Sequence, residues 1–325
     1  MGSHSPGSRL RRTLLASFVA ASVAVPVSGA ARAAAVPAPV PGASAASAPL
    51  PAMTLAALDR RYTAGRAAIR AAGRTATRHG DRWRASMLRA MADPARHFLF
   101  FDGRDGGRTA EVFGELSGAG RIAVVVPGAD TNLDKYGPLR GGSMRLLRML
   151  GDRSAVIAWL GYRTPGTVSL EAMTPDRAEE AAPGLRAFVR ELRTAKPAAR
   201  ISLLCHSYGS AVCARAAPGL DVADIVLYGS AGTTADNVAA LRTRATVWAA
   251  RGTGDWVGGV PHTRLRLPFA TIGLGADPVD PEFGARVFAA GDGGHSAYLS
   301  AGSLSLRNIA RIVSGQVPSE AGRGA

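Results

Sequence analysis

Apolar residues in this chain come in short, nearly unbroken runs. They are RIAVVVPG at Arg121–Gly128, SAVIAWLG at Ser154–Gly161, ISLLC at Ile201–Cys205, ADIVLYGS at Ala223–Ser230 and RATVWAARG at Arg244–Gly252. Runs without polar alternation describe strands covered on both faces. A further strand is predicted near Ala285–Gly291. Ahead of them, HFLFFD at His97–Asp102 and TAEVFGEL from Thr109 predict an antiparallel opening pair. Helical patterns fall between the runs, at Met144–Leu150, Asp176–Thr194 (interrupted near Pro183 and Gly184), Ser210–Ala216, Ala235–Leu241 and Ser303–Val313. Strands alternating with helices build a mostly parallel central sheet with helices on both faces, an α/β fold. Ligands then bind beyond the carboxyl ends of the strands. Trp256–Gly284 breaks the rhythm. It is rich in Gly and Pro, shows no clear element, and is expected to be a lid or a binding wall.

The first fifty residues follow another pattern. Arg9, Arg11 and Arg12 precede an apolar run from Leu14 to Val25, and small residues lead to Ala31-Arg32-Ala33. This predicts a cleaved signal peptide over residues 1–33, whose paired arginines also fit a twin-arginine type. Residues 34–53 are mostly Ala, Pro and Ser and read as a linker. Residues 54–96 read as a basic helical extension and 97–318 as the main domain. The expected location is secreted or at the cell envelope. The formal net charge is +15. Four arginines and no acid lie within the first 33 residues, so their removal leaves +11. Such a balance favours anionic partners. Arg66, Arg70, Arg74, Arg78 and Arg82 recur every four residues and in a helix would form one slowly drifting stripe, though Gly65, Gly73 and Gly80 weaken a single long helix. The stripe reads either as the solvated face of two or three helices or as a contact for an anionic envelope surface. No zinc-finger spacing or aromatic-interleaved basic groove points to nucleic acid. The two cysteines, Cys205 and Cys213, fit either a disulfide or a pair of buried thiols.

Cys205-His206-Ser207-Tyr208-Gly209 sits between a buried strand and a small-residue helix. A nucleophilic serine needs such a corner to project its hydroxyl, with small neighbours at minus two and plus two. The usual pattern is G-x-S-x-G, and here cysteine replaces the first glycine. The serine needs a base, and the base needs an orienting acid. His295 follows the last strand and is the histidine placed to serve. His79 and His97 precede the sheet core, His262 lies in the irregular loop, and His206 cannot easily reach back to its neighbour. Asp255, just past the RATVWAARG strand, is the expected acid, with Asp236 as alternative. Asp277, Asp280 and Asp292 read as turn residues. Backbone amides of Ala129, in VVVPGADTN, and Tyr208 are the candidate oxyanion donors. Asp130 is expected to turn away and bond Thr131 or Asn132.

These residues, with the segments GADPVDPEFGARVF, GGHSAYL and SLRNIARIVSG, resemble the α/β-hydrolases. More closely, the sequence looks like an actinobacterial α/β-hydrolase-like family labelled a domain of unknown function, over about residues 97 to 315. The resemblance implies an α/β-hydrolase fold with nucleophile Ser207, base His295 and acid Asp255. The expectation is a secreted serine hydrolase of small-molecule or lipid carboxylic esters, requiring no cofactor or metal. The alternative is an inactive scaffold of this fold that binds an anionic envelope polymer, a lipid surface or a protein.

Overall fold

The computed structural model describes residues 54–267 and 270–320. The expected signal peptide and linker lie outside the described residues. Among the described residues, no helix is long and apolar enough to cross a membrane.

The described chain opens with α1 (Leu55–Arg78), whose first turn is capped by the Thr54 hydroxyl accepting from Ala57 N–H. Gly80 then takes a left-handed conformation, and Asp81 caps α2 (Arg82–Met91) by accepting from Arg84 N–H. This turn corrects the expectation of a single arginine stripe: Arg66 to Arg78 share α1, whereas Arg82 starts another helix. Arg70 and Arg74, with Arg89 of α2, line a groove of about 500 Å³ between the two helices.

The main sheet has eight strands: β1 (His97–Asp102), β2 (Arg108–Phe113), β3 (Arg121–Val126), β4 (Ser154–Leu160), β5 (Arg200–His206), β6 (Asp224–Tyr228), β7 (Thr246–Ala250) and β10 (Arg286–Val287). Their spatial order is β1-β2-β4-β3-β5-β6-β7-β10. β1 and β2 are antiparallel to their neighbours, and the rest are parallel. Helices α3 (Gly137–Leu150) and α6 (Leu304–Val313) cover one face, and α4 (Asp176–Ala195) and α5 (Gly209–Ala216) the other. Period-two geometry explains the unbroken apolar runs. In β3, Ile122, Val124 and Val126 pack toward α4 and α5, while Ala123 and Val125 pack toward α3 and α6.

Four elements differ from expectation. α3 begins at Gly137, with Pro138 in its first turn, where a missing N–H costs nothing. α4 runs through Pro183, which is exposed, so its buried stripe from Ala178 to Leu192 stays intact. The predicted helix at Ala235–Leu241 shrinks to one tight turn at Ala239–Leu241, bounded by left-handed Thr234 and Arg242. The stretch after Asp255 is not featureless. It holds a hairpin, β8 (Leu265–Leu267) with β9 (Ala270–Ile272), between two short turns.

Candidate active site

The β5–α5 corner puts Ser207 at φ +52°, a left-handed conformation rare for a residue with a side chain. Its N–H donates to Tyr228 O (3.0 Å) on β6. The next residue anchors the corner from the other side. Tyr208 Oη donates to Thr174 O (2.8 Å) and accepts from Ala178 N–H (3.1 Å) at the start of α4. Two glycines make the turn possible. A Cβ on Gly209 would lie 2.6 Å from Pro127 O and 2.7 Å from Val126 O, and one on Gly128 would lie 2.6 Å from Ser207 Cβ. Cys205, two residues before the serine, is disulfide-bonded to Cys213 of α5, with Cα atoms 6.3 Å apart. Of the two readings left open, the disulfide is the one formed. It accounts for cysteine where glycine is usual: the Cβ points along the sulfur bridge into the helix.

At the same sheet edge, Ser207 Oγ donates to His295 Nε2 (2.9 Å). His295 Nδ1 donates to Asp255 Oδ1 (2.9 Å) and Oδ2 (3.1 Å). Asp255 follows β7 and is 5% exposed. Its Oδ1 also accepts from Val257 N–H (2.9 Å) and its Oδ2 from Tyr298 Oη (2.5 Å). Because the carboxylate only accepts, Nδ1 carries the proton and Nε2 is left with its lone pair toward the hydroxyl. Burial pushes Asp255 upward. The bonds from Tyr298, Val257 and His295 outweigh it and hold the carboxyl below its usual value. The alternative acid, Asp236, is exposed and paired instead with Arg264 (2.7 Å). Asp277 and Asp280 accept from Val279 and Glu282 N–H within their own turns, and Asp292 is exposed.

Sequence reasoning missed two supporting residues. Tyr298 donates to Asp255 and also accepts from Gly252 N–H (3.0 Å), tying the loop after β7 to the loop that carries His295. His206 does not reach back to Ser207. It crosses to the other arm, donating from Nε2 to His295 O (2.8 Å) with the two rings 4.8 Å apart. The one sequence signal for either was proximity to a candidate residue.

Burial, and then repulsion from His295, lower His206 to about 4 from 6.5; its bond to His295 O and the Asp255 charge partly offset this. Between those values the unfolded chain binds a proton that the folded chain refuses. Stability is therefore lost as pH falls from 6.5 to 4, by about 3 kcal/mol at 1.36 kcal/mol per unit. In urea unfolding, the stability gap between wild type and His206→Asn is expected to narrow by that amount between pH 7 and pH 4. A gap independent of pH would contradict it.

The amides of Ala129 and Tyr208 flank the serine and donate to no other described residue. Asp130 turns away, but not as expected: Oδ2 accepts from Thr167 N–H (3.0 Å) and Oδ1 lies 3.5 Å from Lys135 Nζ. Its partner comes from the loop after β4, because Asp130 N–H donates to Pro165 O (2.9 Å) and draws that loop alongside. A cavity of about 330 Å³ opens beside Ala129 and His295.

A family model described as alpha/beta hydrolase matches residues 102–265, half of the chain. An uncharacterized protein of Mycobacterium tuberculosis is 30% identical over 178 residues, covering 48% of this chain and 66% of the relative. A second from the same species is 29% identical over 250 residues, covering 64% and 37%. The match thus spans less than two thirds of either relative's length. Similar solved structures include an α/β serine hydrolase without a lid from Xanthomonas campestris, at 18% identity and TM-score 0.43, covering 68% of this chain and 94% of that one. Another is a dienelactone hydrolase-like promiscuous phosphotriesterase from metagenomic libraries, at 15% identity and TM-score 0.44, covering 68% and 98%. With a family model matching half its length, the chain belongs to the α/β-hydrolases.

Proposed function

We propose that this protein is an extracytoplasmic serine hydrolase of carboxylic esters. The observation that carries the reading is the contact series Ser207–His295–Asp255, with successive separations of 2.9 Å. In the proposed reaction, Ser207 Oγ attacks the ester carbonyl carbon while His295 Nε2 takes its proton. The carbonyl oxygen, now negative, is met by the Ala129 and Tyr208 amides. His295 returns the proton to the departing alcohol as the carbon–oxygen bond breaks, leaving an acyl-serine. Water, deprotonated by His295, attacks that acyl group and restores the hydroxyl. Asp255 keeps the ring oriented and stabilises its charged form. The Cys205–Cys213 bond supports a location outside the reducing cytoplasm.

A fluorophosphonate probe tests this reading. It is expected to label the wild-type protein at Ser207, to fail with Ser207→Ala and to react far more slowly with His295→Ala. Absence of label on well-folded wild-type protein would sink the enzyme reading and favour the binding scaffold. The same probe applied to cell fractions reads location, and label confined to the cytosol would oppose the extracytoplasmic assignment.

A further inference from the structure

The cavity beside the triad is walled largely by apolar groups, among them Val125, Pro127, Leu139 and Leu299. Three charged side chains also line it: Asp130, Lys135 and Arg145. The first two form a pair at 3.5 Å, and Asp130 holds Thr167 N–H as well, so their charges largely cancel. Arg145 is different. Among the described residues no carboxylate forms an ion pair with it. Its Nε donates to Leu299 O (2.5 Å), which fixes the guanidinium by one corner. One turn earlier on α3, Gly141 leaves room for the rest of the group: a Cβ there would lie 3.3 Å from Nη1. Among the described residues no protein acceptor bonds Nη1 or Nη2, and Arg145 lines the same cavity as His295 and Ala129.

A guanidinium without an ion-pair partner, in a wall whose other two charges pair with each other, is a recognition device for an anion, since the planar fork matches two carboxylate oxygens. The volume lies at the lower end of the range for small-molecule sites, about 300–1,000 Å³. It suits a short carbon arm ending in a charge better than a long acyl chain. We propose that Arg145 is the specificity-determining residue of the site and that the preferred substrates are esters with one short arm ending in a carboxylate. This rests on the serine-hydrolase reading above.

The test uses two matched pairs of esters on the whole protein. One pair varies the acid side, 4-nitrophenyl hydrogen glutarate against 4-nitrophenyl valerate. The other varies the alcohol side, the butyrate ester of 3-hydroxybenzoate against phenyl butyrate. In at least one pair the wild type is expected to favour the charged member in kcat/KM by about tenfold or more, the scale of a charge-assisted hydrogen bond. Arg145→Gln is expected to lower the charged-to-neutral ratio by at least about tenfold, and Arg145→Lys to restore part of it. Equal losses on both members would show that Arg145 only braces the Leu299 carbonyl and would overturn the proposal. So would wild-type turnover of neutral esters with no preference for charge, which leaves the hydrolase reading standing. Absence of both turnover and fluorophosphonate labelling would remove that reading itself and the subsite with it.

Discussion

Asp255→Asn is expected to fold like the wild type and to lose about four orders of magnitude in turnover. The reason is the proton on His295. In the wild type the carboxylate accepts from Nδ1, which leaves Nε2 free to take the Ser207 proton. An asparagine amide can face Nδ1 with its N–H group, and that stabilises the tautomer protonated at Nε2. The proposed base is then blocked although no atom has moved far. Asn Oδ1 still accepts from Val257 N–H, so the loop after β7 keeps its turn. A loss smaller than about tenfold in kcat, with an unchanged melting temperature, would show that His295 does not depend on this carboxylate. Combining Asp255→Asn with Ser207→Ala should cost little beyond Ser207→Ala alone, because residues that act as a unit are not additive. Acid does not mimic the substitution at the usual carboxylate value, since Asp255 is held below it.

The second large effect is expected from one methyl group. Gly209→Ala places a Cβ 2.6 Å from Pro127 O and 2.7 Å from Val126 O. Both obstacles are backbone at the end of β3, so no side-chain rotation relieves them. Either the β5–α5 corner or the β3 end must move, and each carries one of the two amides proposed to receive the oxyanion. Overpacking of this kind costs about 1–3 kcal/mol. A displacement near 1 Å at a catalytic group costs about 10²-fold in rate. The urea midpoint should therefore fall at constant slope, and kcat should fall by about two orders of magnitude in the protein that still folds. Wild-type stability and turnover in this variant would mean that the corner is looser than its contacts imply.

Much of the fold was legible because burial on both faces leaves a local mark. The runs around Val124, Ile157, Leu203 and Val226 could be read as strands one by one, and their spacing implied the crossovers. Ser207, Asp255 and His295 can be nominated from chain order, each following a strand, and the structure brings their side chains into contact. Contacts set by loop geometry left no such mark. Nothing near Tyr298 says that its hydroxyl reaches back 43 positions to Asp255. Its sequence neighbours are the expected partners of Asp130, but its carboxylate accepts from Thr167 N–H, because the loop after β4 folds beside it. The arginine periodicity alone would carry one stripe from Arg66 to Arg82. Gly80 and Asp81 supply the stop and restart, and they outweigh the four-residue spacing.

At the sheet's outer margin, Arg61 of α1 donates from Nε to Leu99 O on β1 (2.5 Å), and Gly65 lies so close that a Cβ would meet Phe98 O at 2.8 Å. An uncovered margin strand is a template on which another chain can add itself. The opening helix covers that margin strand. A version trimmed to the α/β core is expected to bare those carbonyls and to aggregate more readily, even with Ser207, Asp255 and His295 in place.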